Sequence, residues 1–232
     1  MSRKFRLGAS LCALLLLAAC AGTDVTSRQA YEGDKLPRPD RIIVHDFGNT
    51  PADVPPGSAL AAQPAVSETA AEAEIAQKLG AQIAEELVAD LQGMGLPAVR
   101  AAGQPAPKVN DVVLRGYFVT VDQGSQGEQL LIGFGSGAAK LTTVVEGYQM
   151  TPTGLRKLGG GELASHGPQT PGVIAPLAVL AATSNPIGLV VGGAVQARNE
   201  YTGADTIEAA AKRTADEIFA QMRPTIERQD WT

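Results

Sequence analysis

The chain of 232 residues carries 19 basic and 24 acidic side chains, a formal charge of −5. That balance argues against nucleic acid as a partner and against a polybasic grip on anionic lipid. The only cysteines are Cys12 and Cys20, so everything after position 20 lacks a disulfide, a thiolate metal site or a cysteine nucleophile.

Arg3, Lys4 and Arg6 open the chain, and residues 7–19 follow as an uncharged, mostly apolar run of 13. A helix needs about 20 residues to cross a ~30 Å hydrocarbon core, so the run reads as a secretory signal and not as a permanent anchor. Its close, Leu17-Ala18-Ala19-Cys20, resembles the lipobox of bacterial lipoproteins. The resemblance implies cleavage between Ala19 and Cys20, then diacylglycerol on the Cys20 sulfur and acylation of the new N-terminus. Each buried methylene contributes ~0.8 kcal/mol, so two or three chains hold where one would let go. The next residue is Ala21, not Asp; in lipoproteins sorted by that position this implies the outer membrane, periplasmic face. Losing residues 1–19 removes three basic side chains and no acidic one. What remains is 213 residues, with 16 basic against 24 acidic groups, or −8, and enough length for one domain with a real core.

Residues 20–40 show neither a helical nor a strand period. They read as a flexible lipidated tether spanning ~25 Å root-mean-square. Arg41-Ile42-Ile43-Val44-His45-Asp46-Phe47 predicts the first strand. His45 and Asp46 are adjacent there and point to opposite faces, which denies them a catalytic dyad. A proline-rich loop, residues 48–66, precedes a long helix that Ser67 or Thr69 can cap. Ile75, Leu79, Ile83 and Leu87 recur every four residues along it, and Gly93, Gly95 and Pro97 end it. Glu85 and Glu86 read as solvated surface. A short strand is expected over 96–100, a strong one over 111–121, and another over 138–150. The last turns at Thr151-Pro152-Thr153-Gly154 into a hairpin partner over 155–164.

Gly133, Gly135 and Gly137 invite a nucleotide-loop reading, but a β-rich segment follows them and no Gly-Lys-Ser/Thr does. They read as a packing site where backbones come close. Residues 163–197 contain no formally charged side chain across 35 positions. The apolar halves, 173–182 and 187–195, are each too short to span a membrane as a helix. Gly188 and Gly192 place small residues on one helical face. Three readings stay open: a buried packing element, an oligomer or partner interface, and a membrane-inserting hairpin. A closing helix is expected over 204–222, capped by Asp205 or Thr206 and ended by Pro224, with 226–232 as a tail.

Arg115-Gly116, the polar turn over 122–129 and Ile132-Gly133-Phe134-Gly135-Ser136-Gly137 resemble a family of bacterial lipoproteins, the domain of unknown function DUF 4410. The resemblance covers roughly residues 40–225 and transfers no catalytic residue. The element order is also distantly similar to the α/β domains of periplasmic assembly lipoproteins. The expected architecture is a single α+β domain over 41–225, with two long amphipathic helices on one face of a largely antiparallel sheet. No catalytic, metal or cofactor site is expected. The expected role is non-enzymatic, binding another envelope protein or the chain itself. The alternatives are a secretion-complex subunit using 173–195 and an envelope hydrolase with two carboxylates in one cleft.

Overall fold

A computed structural model describes residues 21–48, 70–123, 139–167 and 206–232. Ala19, Cys20, Gly133, Gly135, Gly137, Gly188, Gly192 and the apolar halves within 173–195 lie outside the described residues. The element order is β1 Gly22–Gln29, β2 Ile42–Val44, α1 Ala70–Gly93, β3 Ala98–Arg100, β4 Val112–Asp122, β5 Lys140–Thr151, β6 Gly154–His166 and α2 Ile207–Arg228. Contacts divide the chain into two compact units. One comprises Thr23–Val121, Leu141–Ser165 and Ala211–Thr232 and holds nearly all of these elements; the other comprises Met1–Gly22, Asp122–Lys140 and His166–Ala210.

The strands form one six-stranded sheet in the order β1-β6-β5-β4-β2-β3. The sheet is mixed, which corrects the expectation of a largely antiparallel one. β2 runs parallel to both neighbours, Ile42 pairing with Ala98 and with Val112. The cause is the long helix. A chain that leaves β2 and returns through α1 re-enters from the same end, so its strands must lie parallel. β4 and β5 run antiparallel, the Met150 N–H donating to Asp111 O and the Asn110 N–H to Met150 O.

The stretch expected as a tether contains a strand. β1 lies at the sheet edge, and its contacts with β6 pair Thr23 with Ser165 and Thr26 with Glu162. Six of its eight residues are exposed, so it carries no apolar period. Backbone pairing places it where side-chain patterning gives no signal.

α1 turns Leu79, Ile83, Leu87 and Leu91 inward, each 2% exposed or less. Gly80 lies on the same face and meets Phe47 backbone to backbone, the Phe47 N–H donating to Gly80 O at 3.2 Å. The helix ends as expected: Gly95 takes a positive φ of 78°, and the Leu96 N–H turns back to Leu91 O at 3.1 Å.

α2 is capped by Thr206, whose hydroxyl accepts the Ala209 N–H at 3.2 Å. It continues through Pro224 to Arg228. Proline removes one helical bond and crowds the carbonyl four residues back. Here the final turn is held from outside. Ile226 is buried, Gln229 Oε1 accepts the Leu36 N–H at 2.7 Å, and the Trp231 indole N–H donates to Leu36 O at 3.2 Å. Residues 226–232, expected as a tail, are docked. No helix among the described residues is long and apolar enough to cross a membrane.

Candidate functional site: an apolar cavity beneath the C-terminal helix

Side chains alternate across a strand. Val112 and Leu114 of β4 therefore share a face, as do Val145 and Gly147 of β5. Together with Leu163 of β6 and with Ile218, Met222 and Ile226 of α2, they enclose a cavity of about 150 Å³. A cavity of that size with apolar walls holds about one benzene-sized group. Gly147 opens the space: a Cβ there would meet only Leu114 Cδ2, at 3.4 Å. Three consecutive glycines build the opposite wall. A Cβ at Gly159 would stand 2.5 Å from Gln29 O, at Gly160 2.7 Å from Val145 O, and at Gly161 2.8 Å from Ser27 O. No other residue would let β6 approach its neighbours so closely.

The rim is polar. Arg28 Nη2 donates to Gln221 O at 3.3 Å. Tyr31 lines the cavity and carries the Arg156 guanidinium 5.8 Å from its ring centroid, a cation–π contact.

Among the described residues two carboxylates are almost fully buried, Asp111 and Glu146, each 1% exposed. Asp111 accepts from Arg41 Nη2 at 2.5 Å and from the Lys108 N–H at 2.8 Å. Glu146 alternates with Val145 and Gly147, so it faces away from the cavity. It accepts from Lys157 Nζ at 2.6 Å and from the Tyr148 hydroxyl at 2.8 Å. Burial and the neighbouring Glu146 push the Tyr148 phenol well above its ordinary range. Each carboxylate is thus matched to a cation of its own, an arrangement that holds charge in a core.

Of the residues singled out from sequence, Asp46 lies just past β2 and receives Arg100 at 2.5 Å, and Arg100 also meets Glu85 at 2.5 Å. His45 donates its backbone N–H to Leu114 O. Among the described residues, no group of three or more His, Cys, Asp and Glu could hold a metal ion. The cavity itself was not legible in the sequence. Its one local signal was Gly159-Gly160-Gly161 inside a strand, which marks close backbone approach.

No curated protein matches the chain. Among solved structures it is similar to a PelC point-variant dodecamer from Paraburkholderia phytofirmans. The identity is 15%, over 73% of this chain and 95% of that one, with a TM-score of 0.37. A second PelC dodecamer from the same organism matches at 14% identity, over 66% and 88%, with a TM-score of 0.36. The family model described as a domain of unknown function, DUF4410, matches residues 42–184, more than half of the chain, and the chain belongs to that family.

Proposed function

We propose that this protein is a non-enzymatic lipoprotein of the bacterial outer membrane, held at the periplasmic face by acylated Cys20, that works by binding another envelope protein or a second copy of itself. The observation that carries this reading is Leu17-Ala18-Ala19-Cys20 directly ahead of a folded α+β domain. Residues 1–19 are the signal removed on the way, and acyl chains supply the attachment that a net-acidic surface does not.

Two structural features support a binding role. The most buried carboxylates among the described residues are engaged with cations. The cavity beneath α2 has room for one aromatic or branched aliphatic group. Both helices cover one sheet face in this reading. Its support is that Asp90 of α1 lies within electrostatic reach of Lys212 and Asp216 of α2.

Mass spectrometry of the protein purified from membranes tests the attachment. The expected product starts at Cys20 and carries fatty acyl mass. An uncut N-terminus with a free thiol overturns the reading. Photocrosslinking in intact cells, from a probe beside the cavity rim at Gln221, tests the role. A discrete adduct is expected, and a protein that reaches neither a neighbour nor its own copy from any exposed position contradicts it.

A further inference from the structure

The cavity beneath α2 is walled on one side by an open strand edge. Val25, Ser27 and Gln29 of β1 line it, and β1 has no strand on its outer side among the described residues. Residues 24–29 are exposed. The outward backbone groups of β1 are therefore a template for one more strand. A chain added there would point alternate side chains toward the side of the sheet on which the cavity lies.

The size of the space limits what enters. About 150 Å³ admits one aromatic or branched aliphatic side chain, and apolar walls reject a charged one. Charge at the rim limits the choice further. Arg28 and Arg156 are both exposed, and neither has a carboxylate partner among the described residues. Arg28 gives a long bond of 3.3 Å to Gln221 O. Arg156 gives to the neutral Gln149 Oε1 and lies over Tyr31. A carboxylate accepts from a guanidinium more strongly than a carbonyl or amide oxygen does. An apolar side chain and a carboxylate on one residue describe the carboxyl end of a polypeptide whose last residue is apolar.

We propose that β1, the cavity and the rim of Arg28 and Arg156 form a binding site for the carboxyl-terminal segment of a partner protein that ends in an aromatic or branched aliphatic residue. The segment pairs with the outer edge of β1. Its last side chain fills the cavity, and its terminal carboxylate receives Arg28, with Arg156 adding positive charge. A free small acid would satisfy the cavity and the arginines but leave the edge of β1 unused, which is why the occupant is a chain. The site rests on the protein-binding reading above and names the part of the partner it takes.

Trp231 is the chain's only tryptophan. It lines the cavity and is 6% exposed, so a bromine atom seated there quenches its fluorescence. The lipidated full-length protein is reconstituted in phosphatidylethanolamine–phosphatidylglycerol vesicles freed of detergent, whose tails would compete for the cavity. The probes are an acetylated peptide of alternating Ser and Thr ending in 4-bromophenylalanine, the same peptide amidated at its end, and free 3-(4-bromophenyl)propanoate. Saturable quenching by the free-ended peptide is expected, with the amide and the small acid each roughly tenfold weaker or more. Arg28→Gln should weaken the free-ended peptide several-fold and leave the amide unchanged. Gly147→Ala, which narrows the cavity, should weaken both peptides. Arg28 is exposed and a Cβ at Gly147 meets only Leu114 at ordinary contact distance, so both variants keep the fold. Equal binding of the amide overturns the role of the carboxylate. Equal binding of the small acid overturns the chain as occupant, and absence of saturable quenching overturns the site. A crosslinked adduct from Gln221 without peptide quenching contradicts this inference alone; loss of every adduct contradicts the protein-binding reading itself.

Discussion

Thr23 Oγ1 and Ser165 Oγ, 142 positions apart in sequence, lie 2.7 Å from one another, and the second hydroxyl continues to Thr214 Oγ1 at 2.6 Å. Three side chains of modest polarity thereby join the edge strand, its neighbour and the C-terminal helix. Ser165 is 2% exposed and Thr214 fully buried. Ser165→Ala removes both bonds while keeping the fold's shape. A net ~1 kcal/mol per buried hydrogen bond gives an expected loss of about 1–2 kcal/mol, read as a lower denaturation midpoint in urea with an unchanged slope.

Gly80 offers a test in which two effects have opposite sign. Alanine is favoured over glycine inside a helix by ~0.8–1.0 kcal/mol. A Cβ at position 80 would, however, stand 1.9 Å from Phe47 O, and the backbone of a residue as buried as Phe47 cannot swing aside. Gly80→Ala is therefore expected to destabilise by about 2 kcal/mol or more. A gain in thermal midpoint would show that α1 does not sit against Phe47 as described.

Gly147→Ala has the opposite expectation. The added methyl enters the cavity at ordinary contact distance from Leu114, and the unfolded chain loses freedom. Stability should rise by about 0.4–1 kcal/mol. If the cavity seats a group of the partner, the same change weakens crosslinking from the rim, so a more stable but less active protein is the expected phenotype.

Lys157→Met leaves Glu146 in the core without its ammonium partner at 2.6 Å. Breaking a fully buried pair costs roughly 3–5 kcal/mol; Lys157 retains 30% exposure, so about 2 kcal/mol is expected. Lys157→Met with Glu146→Met should recover much of that loss. A double variant no more stable than the single one would show that the pair serves something other than charge balance.

Asp90 supplies a pH dependence. Burial, and then the nearby Asp216, raise its pKa above the ordinary carboxylate value, Lys212 opposing and Glu86 adding to the rise. A raised pKa means that the folded state binds the proton more tightly than the unfolded state does. Its contribution to stability is thus full below the unfolded value and lost as pH rises through the folded one. Asp90→Asn should raise the thermal midpoint at pH 7, by an amount matching about 0.2–0.5 kcal/mol for relief of like-charge pairing. The gain should fade below pH 4. A constant gain across that range would point to packing instead of ionisation.

The fold was legible wherever burial imposes a period. α1 is expected from Leu79, Ile83 and Leu87, and β4 from its run of β-branched and aromatic residues; both lie within about one to three residues of their observed limits. What was illegible has definite causes. β1 is exposed and lies at an edge, so its pairing leaves no trace in side-chain pattern. The continuation of α2 past Pro224 depends on contacts with Leu36, which no local window contains. Parallel pairing of β2 follows from the route of the chain, and strand composition is nearly silent about direction. Of the cavity, sequence shows Gly159-Gly160-Gly161 and the apolar side of α2 with Ile218 and Met222, but not that the two face one another across a space. The glycines singled out at 133, 135, 137, 188 and 192 fall outside the described residues.

The bond from the Trp231 indole to Leu36 O joins positions 195 apart in the sequence. Contacts of that span close slowly, because chain entropy is surrendered before the contact repays it. A polypeptide is made amino end first, so the segment after β1 waits for Gln229 and Trp231 before it can be latched. Folding of this domain is accordingly completed late, by contacts just past the last turn of α2.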